Sequence, residues 1–451
     1  MNAKSTDNKA FIKMVVALVI PIALQNLINV GISSVDVIML GKVNETVLSG
    51  ASLGSQVYFI LSLILFGLSS GASVLIAQYW GKKDMHSIQT IFGMSVKISA
   101  CVGLLFTIVT FCFPNAIMHI FSHEADVIAE GTKYLRIVCF SYFISAVTMI
   151  YLNTMRCVEK VIIATVTYFI AMVTNIIVNG LLIFGLFIFP EMGVEGAAIG
   201  TVIARIVEFI IVIVHNSKNE VLPFRFEYLF RKNKLLFSDF KKYSLPVVFN
   251  ELMWGSGITA VAAIIGHMGK AAAAANSVVQ VSRQLSLVVG FGVASATAIT
   301  LGKTIGEGRI DDAREYGKKF TTLSLICGFA ASVIVLIVRP IAMTFLSLSP
   351  EAKSLLSFMM LLMAVYVIAA SFNTTLIVGI FRSGGDTLFG VFVDVTFLWG
   401  ISILLGAIAA FVLKLDIRIV YAILIADEIS KMPFVYMRYK SHKWLNNVTR
   451  E

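Results

Sequence analysis

Charge is what this sequence has least of. Only 14% of its 451 residues are Asp, Glu, Lys or Arg, against about a quarter in an ordinary soluble domain. It has 6 histidines, 8 prolines and 5 cysteines. Cys101, Cys112, Cys139, Cys157 and Cys327 lie in or beside apolar stretches, are odd in number and lack metal-ligand spacing. They read as small apolar side chains, which excludes a disulfide framework. No nucleophile elbow, phosphate-binding glycine loop or zinc spacing occurs, so an enzyme reading has no converging constellation to rest on. His119 and His123 have the i, i+4 spacing of a metal pair, but they fall in a polar connection beside Pro114 and read as solvated.

Long apolar runs are what is present. Hydrophobic residues make up 58% of the chain and the mean hydropathy is +0.88. Runs of about 20 residues, each long enough to cross a bilayer core of about 30 Å as a helix, centre near Ile28, Ile64, Leu104, Phe143, Asn175, Ile206, Thr259, Leu287, Val333, Leu362, Leu398 and Leu424. This predicts an all-α polytopic membrane protein of about twelve spans; the continuity of the runs excludes a β-barrel. The first run follows a polar lead over residues 1–10 and extends to Leu40, too long for a signal peptide. Most of the 36 Lys and Arg, Arg382 and Lys431 among them, fall in segments on the side of the N-terminus. That bias predicts cytoplasmic termini and a cell-membrane location, and makes the net charge of +10 a topology signal, not a nucleic-acid footprint.

The longest polar connection runs from about His215 to Lys242. It divides the chain into a six-helix lobe (1–216), a linker (217–242) and a second six-helix lobe with its tail (243–451). The halves repeat in sequence. Pro21 and Pro246 lie 225 residues apart (246 − 21), and at that offset come Leu27/Leu252, Gly41/Gly266, Ser52/Ser277, Phe66/Phe291, Gly67/Gly292, Ser70/Ser295 and Gly81/Gly306. Matched prolines and glycines carry the weight, because they set kinks and close helix contacts. An even number of spans per half makes these parallel repeats, an arrangement that secondary transporters use to build their sites.

Ionisable groups inside apolar spans are costly and usually functional. At about 1.5 Å per residue, Asp36 lies about 8 Å and Thr201 about 12 Å below the outer ends of their spans. Asn175 and Asn179 share one face, one helical turn apart. These four are expected to form a hard-cation site for Na⁺ or a protonatable carboxyl in a polar nest; interhelical hydrogen bonding alone is the plainer reading. On the cytoplasmic side of the second half, Glu251, Asn373 and Asp394 fall at similar depths. Glu251 and Asp394 are expected to form a second cation or proton site, with Asp394 the free carboxylate, unless each pairs with its own neighbour. Arg205 and Glu208, at i, i+3, are expected to neutralise each other, and Arg283 has no evident local partner.

The SSVDVIMLGKV run containing Asp36, FGLSSGASVLIAQYWG at 66–81, TNIIVNGLLIFG at 174–185, GVEGAAIGTVIAR at 193–205 and FRSGGDT at 381–387 resemble landmarks of the MATE (multidrug and toxic compound extrusion) family. The resemblance implies two six-helix lobes around a V-shaped cleft, and a cation site in the lobe of the first-span Asp, at Asp36, Asn175, Asn179 and Thr201. Some members have Asp where Asn179 stands here, and some have Asp near Asn373. It implies export of small organic, cationic and lipophilic compounds in exchange for Na⁺ or H⁺, by a monomer in the bilayer with no cofactor but the coupling ion. The alternative is a flippase for a lipid-linked precursor, which needs a strongly cationic cavity. A receptor or scaffold would leave Asp36 and Glu251 without purpose.

Overall fold

A computed structural model describes residues 8–231, 233–345 and 348–450. Most of the polar N-terminal lead and one residue of the interlobe connection, Lys232, lie outside the described residues. Among the described residues, seventeen α-helices run in chain order: α1 (Asn8–Gly41), α2 (Glu45–Lys82), α3 (Met85–Cys112), α4 (Pro114–Phe121), α5 (Ala125–Val138), α6 (Phe140–Cys157), α7 (Val161–Ile183), α8 (Gly193–Lys218), α9 (Glu227–Phe230), α10 (Lys234–His267), α11 (Lys270–Gly306), α12 (Ile310–Phe345), α13 (Pro350–Thr374), α14 (Thr387–Val395), α15 (Leu404–Ala407), α16 (Ile417–Leu424) and α17 (Asp427–Lys440). Stretches of π-helix follow α13, α14 and α15, and there is no strand among the described residues.

Apolar sequence forms helices here because a helix satisfies every backbone donor and acceptor within itself, as a bilayer interior requires. Among the described residues, ten helices are long and apolar enough to cross a membrane. The pair α5–α6, bent by 51°, makes an eleventh. Side chains such as Leu105, Ile108, Phe111, Ile162 and Phe392 stay exposed on the helix surfaces, as lipid contact allows. The expected twelfth span, centred on Leu424, is broken into α16 and α17, and neither is long enough to cross a membrane alone. Asp427, Glu428 and Lys431 interrupt its apolar run, and all three are buried against protein.

The chain folds into two compact units. Unit I comprises Leu24–Ile76 and Asp84–Ser244; unit II comprises Met1–Ala23, Ala77–Lys83 and Leu245–Glu451. The division after Ser244 falls close to the boundary read from sequence, but two segments of the first half group with unit II.

Unit I packs α3 on α6 and α7 on α8, around Leu61, Leu65, Met118, Leu135 and Tyr142, all fully buried. Unit II packs α11, α12 and α13 together. There the repeated glycines meet: a β-carbon on Gly81 would run into the carbonyl of Lys303, and one on Gly306 into the carbonyl of Gln78. Gln78 also secures the C-terminal tail, donating to the carbonyls of Ser383 and Asn446 (2.7 and 3.1 Å) and accepting from the Val448 amide (2.7 Å).

Candidate functional site

Unit I encloses a cavity of about 130 Å³ lined by Asp36, Tyr58, Tyr134, Asn175, Thr201 and Arg205, among others. Five helices, α1, α2, α5, α7 and α8, deliver these groups. The one-turn spacing on α7 aims Asn175 and Asn179 the same way, and both are buried. Asn179 Nδ2 donates to Asp36 Oδ1 at 2.6 Å and to Asn175 Oδ1 at 3.3 Å. The structure therefore brings three of the four expected residues into one hydrogen-bonded chain, with Thr201 on the same cavity wall.

The Asn179 amide oxygen is buried without a hydrogen-bond partner. It sits where Gly200 of α8 has no side chain; a β-carbon there would overlap it. The cavity-lining Tyr142 hydroxyl is also buried and unpartnered.

Arg205 is held by Glu208 at 2.7 Å, as the i, i+3 spacing predicts, and its guanidinium lies over the Tyr58 ring at 5.8 Å. Asp36 makes no ion pair within 4 Å among the described residues. Asp36 is the one carboxylate lining this cavity, and it faces space large enough for an ion or water; when ionised, it puts a negative charge there. A proton or a small hard cation removes that charge, and the amide and hydroxyl oxygens around it suit such a cation.

Unit II is built differently. Glu251 is engaged by Arg382 Nη2 at 2.9 Å. Asp394 accepts from Lys431 Nζ at 2.8 Å and from Asn250 Nδ2 at 3.0 Å. Lys431 also reaches Glu428 Oε1 at 2.8 Å, and Asn373 Nδ2 donates to Glu428 Oε2 at 2.8 Å. The expectation of a free carboxylate at Asp394, sharing a proton with Glu251, is corrected: each has its own base. Arg382 and Lys431, read as cytoplasmic, are only 4% and 6% exposed. Sequence reasoning missed these two bases, and Asn250, Asp427 and Glu428 with them. The visible signal was the pair Glu428 and Lys431 at i, i+3 inside the last apolar run.

Unit II also has a smaller cavity, of about 30 Å³, lined by Trp254, Asn276, Gln280, Arg283, Tyr366 and Asp427, among others. Ser33, Asp36, Ser55 and Tyr58 line the unit I cavity. At the 225-residue offset their counterparts are Ile258, Val261, Gln280 and Arg283, which all line the unit II cavity. The repeat thus carries two equivalent cavities, in which Val261 stands at the position of Asp36 and Arg283 at that of Tyr58, while Asp427 brings a carboxylate to the second from outside the aligned positions.

The family model MatE matches the chain twice, over residues 21–181 and 246–408, two segments whose starts reproduce the offset of the internal repeat. The chain belongs to the MatE family. It is a multi-pass membrane transporter by family. It is 23% identical over 428 residues to the Uncharacterized transporter YisQ of Bacillus subtilis (strain 168), covering 94% of this chain and 93% of that one. It is 22% identical over 438 residues to the Probable multidrug resistance protein NorM of Thermotoga maritima, covering 96% and 93%. A solved structure described as the outward-facing conformation of a multidrug resistance MATE family transporter of the MOP superfamily superposes with a TM-score of 0.86, at 17% identity and over 96% of both chains. That likeness is one of fold, all-helical as here.

Proposed function

We propose that the protein is a secondary antiporter of the cell membrane, with both termini cytoplasmic, that exports small organic cations in exchange for Na⁺ or H⁺. The observation that carries this reading is the single carboxylate, Asp36, on the cavity it shares with Asn175, Thr201 and Arg205, with an amide and no ion-pair partner within 4 Å among the described residues. An ion that neutralises Asp36 stabilises one conformation of unit I, and release of the ion favours another. Coupling requires only that the ion and the organic substrate prefer different conformations. Tyr58, Tyr134 and Tyr142 on the same cavity supply aromatic surface for a cationic, lipophilic molecule. The names of the NorM relatives support a drug-like substrate class.

The test is efflux of ethidium from proteoliposomes under an imposed Na⁺ or H⁺ gradient. Wild type should transport under at least one gradient, and Asp36→Asn should lose at least tenfold. Gradient-driven efflux that survives in Asp36→Asn would remove Asp36 from the mechanism.

A further inference from the structure

The segment joining α8 to α10 is folded onto unit I, yet it holds two phenylalanines outward. Tyr228 of α9 is buried; its carbonyl lies against Gly93 of α3 and its ring meets His86 at 5.9 Å. Phe224 packs edge-on to Phe92 at 5.1 Å, and its amide donates to Asn216 Oδ1 at 2.6 Å. With the segment fixed in this way, Phe226 and Phe230, one helical turn apart, remain 76% and 75% exposed. Apolar surface presented like this marks a place where something else docks.

Lys97 sets the depth of that surface. It lies 15 residues (112 − 97) before Cys112, the far end of the spanning helix α3, or about 22 Å along a helix rising about 1.5 Å per residue. A bilayer core is about 30 Å thick, so the Lys97 stem runs from inside the core back to the headgroup level. Its Nζ stands 5.7 Å from the centre of the Phe230 ring, which puts Phe230 at the membrane surface. Arg231 and Lys234 follow the same ring in sequence, and both are exposed, as is Lys97. Arg225 is paired with Glu227 at 3.8 Å, but Lys97, Arg231 and Lys234 have no carboxylate within 4 Å among the described residues. Three such cations beside exposed aromatic rings at headgroup depth complement a phosphate joined to acyl chains.

We propose that Lys97, Arg231 and Lys234, with Phe226 and Phe230, form a docking patch for an acidic phospholipid of the surrounding bilayer. The lipid phosphate takes the three cations, and its acyl chains cover the two rings. The rings are what select a lipid over a soluble phosphate. The inference does not rest on the role of Asp36 or on the compound transported.

Full-length protein in a neutral detergent is unfolded thermally with excess phosphatidylglycerol, phosphatidylcholine or glycerol phosphate. Wild type runs beside Lys97→Gln/Arg231→Gln/Lys234→Gln and beside Lys318→Gln/Lys440→Gln/Lys443→Gln, which removes three exposed bases from unit II. Phosphatidylglycerol should raise the wild-type midpoint about 4 °C more than phosphatidylcholine does, and glycerol phosphate should shift it by less than about 1 °C. The first triple variant should lose most of that difference, the unit II variant should keep it, and Phe226→Ser/Phe230→Ser should weaken it. Equal shifts with the two lipids, a full response in the first triple variant or an equal loss in the unit II variant each overturn the proposal. So does a matching response to glycerol phosphate, which would make this a site for a soluble phosphate. Failure of the first triple variant to fold would give the three bases a structural role and overturn it as well.

Discussion

In unit I the carboxylate of Asp36 is held by an amide, Asn179, at 2.6 Å. In unit II the carboxylate of Asp394 is held by an ammonium, Lys431, at 2.8 Å. Both are half-buried acids on one duplicated scaffold. On the proposed reading the first leaves its charge for an ion to neutralise; the second has its counter-charge within the chain. The internal repeat shows how the two diverged. Asp36 corresponds to Val261 and Tyr58 to Arg283, and all four line equivalent cavities. In the other direction, Glu251 corresponds to Asn26 and buried Asn250 to buried Gln25, whose amide donates to Thr165 Oγ1 at 2.7 Å. A buried amide stays at each repeat position while the charges move around it, and charge placement, not fold, sets the two units apart.

The largest effect that would break this contrast is on stability. Arg382→Met strands Glu251 in the interior of unit II, and losing one partner of a buried pair costs about 3–5 kcal/mol. The double variant Glu251→Gln/Arg382→Met should regain most of that loss. Thermal unfolding in detergent reads both, and a mild single variant would mean that the pair is not structural.

In unit I, Gly200→Ala forces a methyl group onto the Asn179 amide oxygen. Overpacking of this kind costs about 1–3 kcal/mol, and displacement of Asn179 from Asp36 should lower gradient-driven efflux well beyond what the remaining folded fraction explains.

The smallest stability change belongs to Asp36→Asn, which keeps an oxygen for Asn179 and should shift unfolding by about 1 kcal/mol or less, with transport lost. A large loss of stability there would make Asp36 a structural partner like Asp394.

How much of this was legible in sequence follows the same divide. Asp36, Asn175, Asn179 and Thr201 stand out as polar groups in apolar runs, and the one-turn spacing on α7 fixes which way the asparagines face. The unit II network was harder to read because its bases sit in polar-looking surroundings. Arg382 precedes Ser-Gly-Gly-Asp, and Lys431 follows Asp-Glu-Ile-Ser, so composition assigned both to the cytoplasm. Their burial depends on α17 packing against α13 and on the π-helical turn between Asn373 and Arg382, tertiary features with no local signal. The grouping of residues 77–83 with unit II was equally hidden, although the close approach of Gly81 and Gly306 is written in the repeat.

The central claim is that one mobile ion, bound at Asp36, is exchanged for substrate. The most direct measurement is the number of Na⁺ or H⁺ released per substrate bound by the purified protein, followed with a Na⁺-selective electrode and a pH indicator at low buffer. The account predicts release of no more than one ion per protein in wild type, none in Asp36→Asn, and no change in Glu251→Gln. Release of two ions, or release undiminished in Asp36→Asn, would contradict it.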